Sequence, residues 1–163
     1  MRTELIDLTE YTTASNPIIL DDYSNRSFAV YCAINRSNKA FFYYMPDEAR
    51  GSDPRCDYLL VGNEDCSVRF IELKGADIQS GIDCCKNTWG HAFHQLIATY
   101  NAYAGLINSE EDTVKMILCT SVYRYKDGRK RSATRYEQYR YYKKIRELGV
   151  VPQILFSDDE DVV

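Results

Sequence analysis

Glycine and proline are scarce, eight and four of 163 residues. That excludes collagen-like and low-complexity chains, and the 45% apolar content excludes wholly disordered ones. The composition does not suit a coiled coil either. No stretch is apolar enough to span a bilayer. Residues 88–108 lack Asp, Glu, Lys and Arg, but they include His91, His94, Gln95, Thr99, Asn101 and Asn108. A buried helix explains that segment better than a membrane does. The opening Met1-Arg-Thr-Glu-Leu-Ile-Asp7 is interrupted by acids at once, so no secretory leader is read there. Six cysteines are present. Cys32, Cys56, Cys66 and Cys119 lie in apolar runs, where a free thiol acts as a small hydrophobe. The expectation is a reducing, cytoplasmic setting without disulfides. Zinc spacing is also missing. Cys84 and Cys85 are adjacent, and His91 and His94 are three apart, unlike Cys-x-x-Cys or His-x₃₋₅-His. No elbow or third group marks a Cys–His nucleophile pair.

A global excess of positive charge is missing too, since 20 Lys and Arg stand against 24 Asp and Glu. The distribution is uneven. Residues 123–148 hold ten basic and three acidic side chains, so the remainder holds ten basic and twenty-one acidic ones. An acidic chain therefore carries one basic module. In it, Tyr123, Arg124, Lys126, Arg129, Lys130, Arg131 and Arg135 precede Tyr136, Tyr139, Arg140, Tyr142, Lys143 and Lys144. Positive charge suits phosphate, and tyrosines stack on or hydrogen-bond to sugar and phosphate. Asp127-Gly128 marks the tip of a loop able to reach into a groove.

The length fits one domain over 1–163, with the basic segment at 123–148 and an acidic, solvated tail at 157–163. Residues 1–27 are weakly patterned, with Leu5, Leu8 and Tyr11 marking a short helix. Strands are predicted over 28–34, 40–45, 57–61 and 68–73, the last two forming a hairpin. A helix follows over 88–108. Trp89, Phe93, Leu96, Ile97, Tyr100, Ala104 and Ile107 make its apolar stripe, and His91, Gln95, Ala98 and Ala102 its other face. A buried strand over 114–120, a charged helix over 134–148 capped by Gly149, and a strand over 151–156 complete the order. The predicted class is α/β or α+β, with a mixed central sheet flanked by helices.

The informative chemistry lies on the hairpin. Residues two apart in a strand share a face, so Glu72 and Lys74 point the same way. With Val61 opposite Val68, Asp57 falls opposite Glu72. Opposed carboxylates repel across a sheet. A divalent cation compensates them, and the Leu73 carbonyl offers a further hard oxygen.

Asp57 followed by Glu72-Leu73-Lys74 resembles the signature of the PD-(D/E)xK nuclease superfamily, whose fold is restriction-endonuclease-like. The phrases Cys-Asp-Tyr-Leu-Leu and Phe-Ile-Glu-Leu-Lys-Gly are similar to those of uncharacterised bacterial or mobile-element members. The resemblance covers residues 55–100. It implies a phosphodiesterase that cuts DNA with Mg²⁺ or Mn²⁺ held by Asp57, Glu72 and Leu73. It also implies Lys74 beside the scissile phosphate and Gln95 next to the site. Many members carry a further acidic residue on a helix before the sheet; no such residue is identified here, and Asp47 or Glu48, in the loop before the third strand, are its substitutes. The loop 124–131, with Arg135, is expected to hold the nucleic-acid backbone. The alternative is a non-catalytic nucleic-acid-binding or protein-interaction module on the same fold. DNA is the expected partner, a membrane is not, and a homodimer or protein partner is left open.

Overall fold

A computed structural model describes residues 12–21, 29–37, 39–46, 55–62, 67–74, 82–107, 113–120, 123–124, 130–131, 135–156 and 159–163. The proposed helix at Leu5, Leu8 and Tyr11 lies outside these residues, as do Asp47, Glu48, Lys126 and Arg129. Strands β1 to β4 are Thr12–Thr13, Ile18–Asp21, Val30–Ile34 and Phe41–Tyr44. Strands β5 (Tyr58–Gly62) and β6 (Ser67–Lys74) follow, then helix α1 (Ile82–Tyr103) and a 3₁₀ turn at Ala104–Leu106. Next come β7 (Thr113–Thr120), the short strands β8 (Tyr123–Arg124) and β9 (Lys130–Arg131), and helix α2 (Arg135–Arg146). β10 (Val151–Phe156) and β11 (Asp161–Val162) close the order.

Six strands form one mixed sheet in the order β1-β4-β5-β6-β7-β10. β4, β5 and β6 are an antiparallel meander. β6, β7 and β10 are parallel, joined by crossovers that contain α1 and α2. Parallel neighbours need such crossovers, and their strands are buried on both faces. β5 is buried throughout and β6 up to Leu73. That is why these segments read as near-continuous apolar runs.

The alternation of β6 divides the core in two. Val68 and Phe70 join Leu59, Val61, Ala92, Leu96, Met116, Tyr141 and Ile145 beneath the helices. Ile71 and Leu73 join Ile18, Leu20, Tyr31, Ala33, Leu60 and Ile117 beneath a second sheet, β11-β3-β2. The expectation of a sheet flanked by helices thus holds on one face. The opposite face is covered by strands.

The central line of α1 is not the predicted stripe. Among residues 91–103 the buried positions are Ala92, Leu96 and Thr99, at spacings of four and three, while Phe93, Ile97 and Tyr100 are half-buried beside them. Ala92 and Thr99 are small and flank Leu96 on this line, and the larger side chains Phe93, Ile97 and Tyr100 pack beside it. Phe93 stacks on Tyr141 of α2 at 4.7 Å. α2 ends as predicted. Gly149 has φ 73°, a left-handed conformation that suits glycine, and its N–H reaches the Arg146 carbonyl at 3.0 Å.

The acidic tail is not wholly solvated. Asp161 is 5% exposed and pairs alongside Ala33 in the second sheet. Its Oδ2 accepts the Tyr31 hydroxyl at 2.9 Å and lies 3.5 Å from Arg69 Nε. Lys115 Nζ lies 3.9 Å from Oδ1. A buried charge survives only when partnered, and these cations from β6 and β7 supply the partners.

Candidate functional site

The predicted hairpin register is the observed one. Val61 pairs with Val68 and Tyr58 with Ile71. One residue further brings Asp57, just outside β5, opposite Glu72. Leu59 and Val61 face the helices, as do Val68 and Phe70. By the same alternation Asp57, Glu72 and Lys74 stand on the helix side of the sheet, at the carboxyl end of β6.

The three side chains meet around one buried carboxylate. Glu72 has 0% exposure. Lys74 Nζ lies 2.5 Å from Glu72 Oε1, and the Lys74 side chain keeps 24% exposure. Asp57 Oδ2 accepts the Leu73 N–H at 2.7 Å. A residue in an antiparallel ladder presents N–H and C=O to the same neighbour. The Leu73 carbonyl is therefore offered on the edge that faces Asp57.

Burial pushes the Glu72 carboxyl well above its usual range, and the negative charge of Asp57 pushes it further. The Lys74 ammonium and the Asp57 backbone N–H act in the other direction. Oε1 is thus held by the Lys74 ammonium, while Oε2 meets no side-chain hydrogen-bond donor among the described residues. A buried polar oxygen left without a hydrogen-bond donor costs about 1–3 kcal/mol. Cys56, buried beside the site, has its thiol pushed up by burial and then by the charge of Glu72. It is an inert core thiol, not a nucleophile.

The Glu72 and Asp57 carboxylates and the Leu73 carbonyl are the hard oxygens here that could hold a divalent cation. Among the described residues no three His, Cys, Asp or Glu side chains converge, so the set contains two carboxylates only. His91 and His94 are exposed on α1 and do not join it.

Gln95 does not point at the carboxylates. Its Nε2 donates to the Arg55 carbonyl at 2.9 Å. One turn on, Thr99 Oγ1 accepts the Cys56 N–H at 2.8 Å and donates to the Gln95 carbonyl at 2.8 Å. Sequence reasoning misses Thr99. Its only signal there is a hydroxyl on the line of Ala92 and Leu96.

The basic segment emerges at the same end of the sheet. Lys74 pairs in register with Thr120, the last residue of β7. β8 begins three residues later and pairs with β9, Tyr123 with Arg131 and Arg124 with Lys130. Arg124, Lys130 and Arg131 thus sit on a two-stranded ribbon beyond Thr120, while Lys126 and Arg129 lie outside the described residues. Arg135 opens α2. Along that helix Tyr139 is 63% exposed, and Arg140, Lys143, Lys144 and Arg146 are exposed with it.

No helix among the described residues is long and apolar enough to cross a membrane. Comparisons with protein-family models, curated proteins and solved structures return no match.

Proposed function

We propose that this protein is a metal-dependent phosphodiesterase acting on nucleic acid, with DNA as the first substrate to test. The observation that carries the reading is the fully buried Glu72 carboxylate, set against the charge of Asp57 and ion-paired with Lys74. Packing alone gives no reason to keep such a group, because an apolar residue there would cost nothing in desolvation. Support also comes from the order of meander, helix and parallel strand, which is similar to the restriction-endonuclease-like core. The basic ribbon that follows Thr120, the register partner of Lys74, supports a polyanionic substrate.

Asp57, Glu72 and the Leu73 carbonyl would hold Mg²⁺ or Mn²⁺, which supplies positive charge to a phosphate and acidity to a water molecule. Lys74, partly exposed beside Glu72, stabilises charge that builds on the phosphate oxygens during cleavage. Gln95 fixes the backbone ahead of Asp57 through the Arg55 carbonyl. Arg124, Lys130, Arg131 and Arg135 hold the phosphates on either side, a contact that carries no sequence information.

The test incubates the protein with plasmid and linear DNA in Mg²⁺, Mn²⁺ or chelator. Cleavage that needs the metal and is abolished in folded Lys74→Ala is the expected result. Tight binding with no cleavage under any metal would favour the non-catalytic module instead.

A further inference from the structure

We propose that Thr99 is a positioning residue of this site, setting the peptide group that leads into Asp57. The inference rests on the reading of Asp57 and Glu72 as metal ligands.

Asp57 lies one residue outside the β5 ladder, so sheet pairing does not fix it alone. What fixes the chain ahead of it is α1. The Arg55 carbonyl and the Cys56 N–H belong to one planar peptide group, and in a trans peptide they point in opposite directions. Gln95 Nε2 holds the first at 2.9 Å and Thr99 Oγ1 holds the second at 2.8 Å. Residues four apart on a helix are neighbours separated by about 6 Å along the axis. The peptide is therefore gripped at both ends by one helical turn, which fixes its rotation as well as its place. The Thr99 hydroxyl proton is committed to the Gln95 carbonyl at 2.8 Å, which leaves the oxygen lone pairs for Cys56. Thr99 is 0% exposed, so water cannot replace it. One residue beyond this group, Asp57 Oδ2 meets the Leu73 N–H. A rotated 55–56 peptide would move that carboxylate away from Glu72.

Residues that orient metal ligands are worth about 10–100-fold in metal affinity or activity. Thr99→Val keeps the shape and removes the acceptor. We expect it to lose about 10–100-fold in Mn²⁺ affinity and in kcat, while KM for DNA stays unchanged. Thr99→Ser, which restores the hydroxyl, should return both to within a few-fold. In metal-free protein the Leu73 amide should exchange with solvent faster in Thr99→Val than in Thr99→Ser. Leu96→Val, a packing change on the same helix, should lower stability without moving Mn²⁺ affinity. Should valine prevent folding, Thr99→Cys, whose thiol accepts weakly, must show the same order. Wild-type-like Mn²⁺ binding in Thr99→Val, or a serine variant as poor as valine, overturns the inference and leaves the site reading standing. A wild type that neither binds Mn²⁺ nor cleaves DNA overturns both.

Discussion

Replacing Glu72 by glutamine should make the metal-free protein more stable. The carboxyl is fully buried, faces the charge of Asp57, and has a pKa well above its usual 4.5. A carboxyl whose pKa is raised on folding gives its full stability below the unfolded value and loses it as pH rises through the folded one. The wild type should therefore lose up to about 1.4 kcal/mol per pH unit above pH 4.5. Over the interval to pH 7 that sets a ceiling of about 3 kcal/mol, and the Lys74 ion pair returns part of it. What remains is a gain of at most that ceiling for Glu72→Gln, which removes the buried charge and its repulsion with Asp57. Lys74, left without its partner, keeps solvent contact through its 24% exposure. Urea titrations with chelator between pH 4.5 and 8.5 measure the effect. The midpoint should rise at constant m-value, and the two stability curves should converge toward pH 4.5. A Glu72→Gln protein less stable than wild type at pH 7, or one with the same pH slope, would refute the reasoning. A substitution that stabilises the fold and abolishes cleavage marks a carboxylate kept for function.

Mn²⁺ at a hundred times its Kd should stabilise the wild type by about 2.7 kcal/mol, read as a rise in Tm, and should leave Glu72→Gln unmoved. Neutralising Arg129, Lys130 and Arg131 together should reduce the slope of log affinity for DNA against log salt by up to about 3, and an unchanged slope would show that none of them meets phosphate. Asp161→Asn removes the carboxylate between Arg69 and Lys115 and should cost about 3 kcal/mol in a denaturant titration, because Arg69 is left buried with its Nε lacking a hydrogen-bond partner.

The hairpin is legible because its information is local. Val61 and Val68 are seven residues apart and pair, the period of two does the rest, and the position of Asp57 opposite Glu72 follows by counting. That a carboxylate with 0% exposure rather than a surface charge pair results is less legible, because burial of Glu72 depends on α1, which packs over β6. The helix boundary slips for a related reason. Asp83 and Lys86 are charged and read as lying outside an apolar helix, yet the helix starts at Ile82 and includes them. Thr99 and Asp161 escape a sequence reading because their partners are remote. Thr99 serves Cys56, 43 residues earlier, and Asp161 meets Tyr31 across 130 residues. β1 and β11 are two residues long, too short for any periodicity to declare itself.

The last strand also bears on how the chain is made. β11 lies along β3, the Arg36 N–H reaches the Val163 carbonyl at 2.9 Å, and the Val163 N–H reaches the Ile34 carbonyl at 3.1 Å. During synthesis β2 and β3 emerge more than a hundred residues before the strand that covers the open side of β3, and that edge stays exposed in the interval. An uncovered edge is a template for pairing with another chain, and contacts this distant in sequence close slowly. Crowded nascent chains are thus most prone to associate through the second sheet, and ribosome-bound chains stopped before residue 161 should be held apart by a strand-binding chaperone or aggregate.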